Sequence, residues 1–433
     1  MKKLLTFLFI TLFSGCTQQN SINDMNNIAE EYVKLVLEVG QYDPVVVDAY
    51  HGPEDWKPLT ISDEDRATFP LDKFIVTSDK LLHLITHFSE DGLSEAERMR
   101  RNYLEKHIKA IRAKIQMIAG KKFSFEEEAR LLYDAEIPKY EEQYFNEALF
   151  SLEELLPGDG TIGDRWNEYR NNFIIPRDKL DTVFSAAIEE GRKRTLDKFS
   201  LPENESFVVE YVENEPWGAY NWYKGNSFSV IQVNTDLPVY IDRAVDLACH
   251  EGYPGHHVFN TLLEENLLNK NGWVEFYVYQ LFSPMSLIAE GTANYGIEVA
   301  FPGEERIEYE KNVLFPLAGL DSNQAEEYYK ILSEVNKLSF ARNEGARRYY
   351  AGEFDRTKYK EWLMKYSLST EERALKSIDF VDKYGSYIIN YNYGLELCRN
   401  YIERNGGTAE NPEKRWDLFK KLISNPYVPS DIK

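Results

Sequence analysis

Apolar residues recur every three or four positions through most of the chain, the spacing that lines one face of an α-helix. Met25 to Val39 follows this pattern and stops at Gly40. Ser94-Glu95-Ala96-Glu97 and Ser124-Phe125-Glu126-Glu127 have the form of capping boxes, in which a hydroxyl and a carboxylate satisfy each other's free backbone amides. They open predicted helices reaching about Ala119 and Tyr133. Pro176, suited to a first helical turn, opens another towards Phe199. Further helices are predicted over Leu237 to Glu265, Trp273 to Phe301, Ser322 to Tyr350, Ser369 to Asp382, Tyr387 to Arg404 and Pro412 to Ile423.

Two-residue alternation is confined to Ser206–Val212 and Ser227–Val233, rich in Phe, Val and Ile and separated by the turn-rich Asn214–Asn226. The expected fold is therefore mostly α, with a small β-sheet just ahead of residue 250. No internal repeat and no long Pro/Gly/Ser linker divides the chain. Residues 25–200 read as a helical scaffold and 201–433 as the part holding the chemistry, within one continuous domain over 25–433.

The N-terminus breaks the pattern. Lys2 and Lys3 precede the apolar run Leu4 to Phe13, which is too short to anchor as a spanning helix. Ser14-Gly15-Cys16 then resembles the end of a bacterial lipoprotein signal, implying cleavage before Cys16 and lipidation of its thiol. The expectation is an exported protein held to the bacterial envelope, on the periplasmic face or the cell surface, by a lipid at Cys16. Residues 17–24 form a polar linker, and no other membrane contact is expected. Cys249 and Cys398 lie in apolar helical contexts; export would permit a disulfide, and burial as free thiols is the simpler fate.

Over 433 residues, 43% hydrophobic and 28% charged, the composition is that of a protein with a large core. The formal net charge of −22 repels phosphate backbones and argues against nucleic acid as a partner.

Candidate chemistry is concentrated in His250-Glu251-Gly252-Tyr253-Pro254-Gly255-His256-His257, which holds three of the seven histidines. Neutral imidazole is a common zinc ligand, and a neighbouring carboxylate can accept a proton from activated water. The familiar His-Glu-x-x-His spacing is absent, since the fourth residue after His250 is Pro254. On an unbroken helix His257 would share the face of His250 but lie about 10.5 Å along the axis, and His256 would point about 120° away. Two nitrogens on one zinc lie within roughly 3.5 Å of each other, so a regular helix fails for both. Pro254-Gly255 permits a break or bulge after Glu251 and a restart at Pro254. Either His256 or His257 could then join His250, with His256 favoured because it follows the glycine.

The third ligand is expected at Glu290, in the small-residue helix Glu290-Gly291-Thr292-Ala293-Asn294-Tyr295 that could pack closely on the first. Asn294 or Glu298 would then orient a histidine, and Glu251 would serve as general base.

These residues carry a family resemblance. His-Glu-x-x-Pro-Gly-His-His at His250–His257, followed by Glu-Gly-x-Ala-x-Tyr at Glu290–Tyr295, resembles a bacterial family labelled domain of unknown function 885, similar to zincin-type metallopeptidases. The likeness extends from Tyr42-Asp43 through Gly52-Pro53 and into the last helices. It implies a large helical zincin-like architecture and a zinc-dependent peptidase-like centre, with substrates poorly defined across the family; the peptide substrate is expected from the chemistry of that centre. Two positions depart from the family's pattern: Arg347 replaces a histidine in Asn343-Glu344-Gly345-Ala346-Arg347, and Tyr384-Gly385-Ser386 replaces Pro-Gly-Gln. Tyr391 and Gly394 keep the later positions, and Tyr391 could donate a hydrogen bond to a developing oxyanion.

Arg347 is a candidate for clamping a substrate carboxylate, although a solvated or ion-paired helix face explains Arg347 and Arg348 more simply. His83 and His87 share a helical face but lack an evident carboxylate partner. The strand Ser227–Asn234 could add an extended peptide along a free edge. The expected activity is peptide hydrolysis by zinc-activated water. The alternatives are a non-catalytic peptide-binding lipoprotein with a structural or vestigial metal site, and a zinc hydrolase of other amides or esters.

Overall fold

The structure, a computed structural model, describes residues 24–433 except position 216. Cys16, the signal over 1–16 and the linker over 17–23 lie outside the described residues. Among the described residues no helix is long and apolar enough to cross a membrane.

Helices dominate, with two small sheets. Both capping boxes form: Ser94 with Glu97 opens Glu95–Ile118, and Ser124 with Glu127 opens Phe125–Tyr133. The helix over 24–40 packs with Leu71–Thr86 and Glu95–Ile118 around Tyr32, Val36, Phe74, Leu81, Leu104 and Ile111, forming an N-terminal core. The remaining helices share a second core, to which residues on both sides of position 200 contribute, among them Phe145, Phe184, Leu287 and Phe419. Arg100 crosses between the cores. Its Nε and Nη2 donate to the two Glu275 oxygens at 2.7 and 2.8 Å, and both side chains are almost fully buried. Such a bidentate pair fixes orientation, since losing either partner would leave a buried charge unpaired.

Strand β1, Val47–Tyr50, lies outside every predicted element, and β2, Ser206–Val212, matches its prediction. Strand β3, Ala219–Tyr223, forms inside the segment read as turn-rich, and β4 is Phe228–Asn234. The order is β2-β4-β3, with β2 and β4 parallel and β3 antiparallel to β4. The expectation of a free edge on Ser227–Asn234 is therefore corrected: this strand is central and has both edges paired, and β3 is an outer strand.

The predicted helix from Trp273 starts late. Val278–Gln280 is strand β5, antiparallel to β1, and the helix runs Pro284–Ala300 with its proline in the first turn. A residue before proline disfavours helical backbone, so Ser283 stays extended. Similarly, the stretch Ser322–Tyr350 divides into Ala325–Asn336 and Ala341–Tyr350.

The helix Ile389–Arg404 crosses Pro284–Ala300 at glycines. A Cβ on Gly291 would lie 2.5 Å from the backbone carbonyl of Gly394. The small residues of the 290s thus serve two contacts, because Gly296 faces Pro254 of the His-Glu segment while Gly291 faces Gly394.

Candidate metal centre

The helix Asp242–Leu247 widens into a π turn over Ala248–Gly252, where the Tyr253 N–H donates to the Ala248 carbonyl at 3.1 Å. The chain then leaves helical conformation through Tyr253-Pro254-Gly255, across a cis Tyr253–Pro254 bond, and resumes as His256–Leu263. The break falls where expected, but helix restarts at His256 rather than at Pro254. The Gly255 N–H reaches the Cys249 carbonyl at 2.9 Å, and a Cβ on Gly255 would meet the His250 carbonyl at 1.9 Å. Only glycine allows this approach. It folds His256 back onto His250, with ring centroids 4.6 Å apart and nearly perpendicular.

Donor atoms of His250, His256 and Glu290 all lie within 4.8 Å of one another. Glu290 Oε2 is 3.3 Å from His250 Nε2 and 3.7 Å from His256 Nε2. Two ligands held tetrahedrally at zinc distances would be roughly 3.4 Å apart, so these spacings suit one small cation.

The hydrogen bonds behind the ligands bear on their protonation. Asn294 Nδ2 donates to the Tyr391 carbonyl at 3.0 Å, which turns Oδ1 towards His250 Nδ1, 2.9 Å away. His250 must donate from Nδ1, and in the neutral ring Nε2 then carries a lone pair. That lone pair faces Glu290 Oε2, a buried oxygen without a hydrogen-bond partner. The other oxygen, Oε1, accepts from the Tyr387 phenol at 2.9 Å. A proton shared with one histidine would relieve one contact; a metal ion would relieve all three. The residues therefore fit a zinc-sized cation on the chemistry of the donor set.

The electrostatics favour positive charge. Burial opposes ionisation of Glu290, but the neighbouring His250 and His256 outweigh it and hold the carboxyl far below the usual range. Burial also disfavours charge on His250, yet Glu290 and Glu251 keep its pKa above the ordinary value. Glu251 is itself buried, and its carbonyl accepts from Asn221 Nδ2 of β3 at 2.6 Å.

His257 does not join the cluster, which corrects its candidacy as a ligand. Adjacent residues on a helix diverge by about 100°. With His256 turned to the metal donors, His257 points at the sheet, where Nδ1 meets Ser229 Oγ at 2.9 Å and Nε2 meets Glu205 Oε2 at 3.0 Å. Tyr253 and Arg192 also donate to Glu205, at 2.7 and 2.6 Å. Burial would raise Glu205, but these partners prevail and bring it down to about 2. No sequence signal marked Glu205, one of two acids just ahead of β2.

Glu298 does not orient a histidine either. It lies two turns beyond Glu290, partly exposed and paired with Arg399. Arg347 is likewise engaged, its guanidinium bound to Glu344 with Glu126 at 3.8 Å. Arg348 shares Glu344 at 2.8 Å, so a clamp for substrate is not what Arg347 offers in this arrangement. Tyr391 packs on Tyr387 with centroids 5.9 Å apart. Burial, reinforced by the charges of Glu290 and Glu251, raises its phenol well above the usual value and keeps it a donor. The sequence pattern did not single out Tyr387, which lies in the 3-10 turn Gly385–Ile388 just ahead of the helix Ile389–Arg404 that carries Tyr391. Cys249 and Cys398 are free and buried, and burial pushes both thiols up. His83 and His87 pack against each other with ring centroids 4.3 Å apart and planes tilted by 38°.

No protein-family profile matches this chain, and no curated protein does. Several solved structures match at low identity, and one at TM-score 0.53 shares the fold. A candidate lipoprotein from Colwellia psychrerythraea is 14% identical, with 84% of this chain covering 68% of that one at TM-score 0.53. A candidate lipoprotein of unknown function from Shewanella oneidensis is 13% identical, with coverages of 82% and 72% and TM-score 0.43. An M32 carboxypeptidase from Deinococcus radiodurans is 11% identical, with coverages of 96% and 94% and TM-score 0.39.

Proposed function

We propose that the protein is an exported, lipid-anchored zinc metallopeptidase in which His250, His256 and Glu290 hold the metal and Glu251 is the general base. The reading is carried by one observation: the lone pair of His250 Nε2 and an unpartnered Glu290 oxygen face each other at 3.3 Å, with His256 Nε2 3.7 Å from the same oxygen. When bound, zinc supplies Lewis acidity that polarises a carbonyl and acidifies water. Glu251, next in sequence to His250, would take the proton of the attacking water and pass it to the leaving amine. Tyr391, kept protonated by burial, would donate to the oxyanion. Asn294 and Tyr387 orient the ligands from behind. The anchor rests on the Ser14-Gly15-Cys16 motif, and kinship with domain of unknown function 885 rests on the paired motifs at His250–His257 and Glu290–Tyr295.

The test is metal analysis of purified protein with hydrolysis of a peptide library. Zinc near one equivalent, activity lost to a chelator and restored by zinc, and an inactive Glu251→Gln variant that retains zinc are expected. Full activity in that variant would remove the proposed base, and a zinc-loaded protein without hydrolysis would leave a binding or structural role for the metal.

A further inference from the structure

Asp48 sits on β1, contributed by the N-terminal region, yet its carboxyl lies close enough to His256 and Glu290 for their charges to act on it. It is not one of the three converging donors. The Tyr220 phenol donates to its Oδ1, and among the described residues no lysine or arginine forms an ion pair with it. Burial raises its pKa to about 6, tempered by that phenol, so it is ionised at neutral pH without a cationic partner. A half-buried carboxylate in that condition is suited to a positive group from outside the chain.

The placement ties it to the chemistry. Tyr220 and Asn221 are consecutive on the outer strand β3; one side chain holds Asp48 and the next holds the Glu251 carbonyl at 2.6 Å. A second metal ion is poorly served here, because Asp48 is the single anionic donor and burial with the Asp48 charge keeps the Tyr220 phenol protonated. An ammonium group needs less: one carboxylate suffices for a charge-assisted bond.

We propose that Asp48, braced by Tyr220, is a subsite for the protonated α-amino group of the substrate, selecting peptides with a free N-terminus. This rests on the peptidase reading for its substrate, but its test is one of binding. Calorimetry of the zinc-loaded protein at neutral pH would compare leucine amide with N-acetyl-leucine amide. Leucine amide should bind more tightly by roughly tenfold to a hundredfold, the range of a hydrogen bond to a charged group. Asp48→Asn should erase the preference and Tyr220→Phe weaken it, with zinc content unchanged. Equal binding of the two ligands, no binding of either, or a preference that survives in Asp48→Asn would overturn the proposal. The unaltered protein's choice between the two ligands decides even if a variant fails to fold. Selective binding without any peptide hydrolysis would sink the peptidase reading and keep the subsite, whereas equal hydrolysis of free and acetylated peptides would sink the subsite alone.

Discussion

Gly291 and Gly394 touch backbone to backbone, with Gly394 so placed that a Cβ added to it would lie 2.7 Å from the Leu287 carbonyl. This contact sets the depth at which Glu290 meets the histidines, because Glu290 immediately precedes Gly291 on the same helix. Gly291→Ala should therefore separate the two helices and cost about 1–3 kcal/mol, as overpacking in a tight core does. Thermal unfolding would read the loss, and zinc titration should show weakened affinity in the protein that remains folded.

The two adjacent histidines should behave oppositely. His256→Ala should abolish tight zinc binding while leaving stability nearly intact. His257→Ala should retain zinc but lose about 3–5 kcal/mol, the usual effect of stranding one member of a buried charged or hydrogen-bonded group. Metal content measured beside urea unfolding separates them; zinc loss in His257→Ala with His256→Ala unaffected would reverse the ligand assignment.

Asn294→Ala removes the acceptor that fixes the His250 ring. Zinc affinity should fall roughly tenfold to a hundredfold, the range seen when groups supporting metal ligands are lost. Competition against a chromophoric chelator measures this directly, without dependence on turnover.

Glu205 predicts an acid-dependent stability. Its folded-state pKa of about 2 lies below the ordinary glutamate value of 4.5, so the folded protein binds that proton less readily than the unfolded chain. Its contribution is full above 4.5 and is lost as pH falls towards 2. Unfolding midpoints across this window should fall less steeply in Glu205→Gln than in the unaltered protein.

Much of the helical frame could be read from local signals, because caps and breakers act within a few residues. Ser94, Ser124 and Pro412 mark helix starts where the structure has them. Strand β3 escaped because its sequence, Ala219-Tyr220-Asn221-Trp222-Tyr223, has no apolar alternation; pairing with β4 and contacts to Asp48 and Glu251 hold it in place. The helix forecast from Trp273 ignored the constraint that Pro284 places on Ser283. In the candidate centre, His250, Glu251 and Glu290 stood out by sequence, while the choice between His256 and His257 depended on how far the chain turns at Gly255. Glu205, Asp48 and Tyr387 were hidden because their partners are distant in sequence.

The amide of Asn294 is aligned by the main chain of Tyr391 rather than by its ring. Any amino acid at position 391 would present the same oxygen, so the tautomer of His250 is insulated from side-chain exchange there. One site thus serves two tasks through separable parts, and exchanging its ring could alter turnover while sparing the grip on the ion.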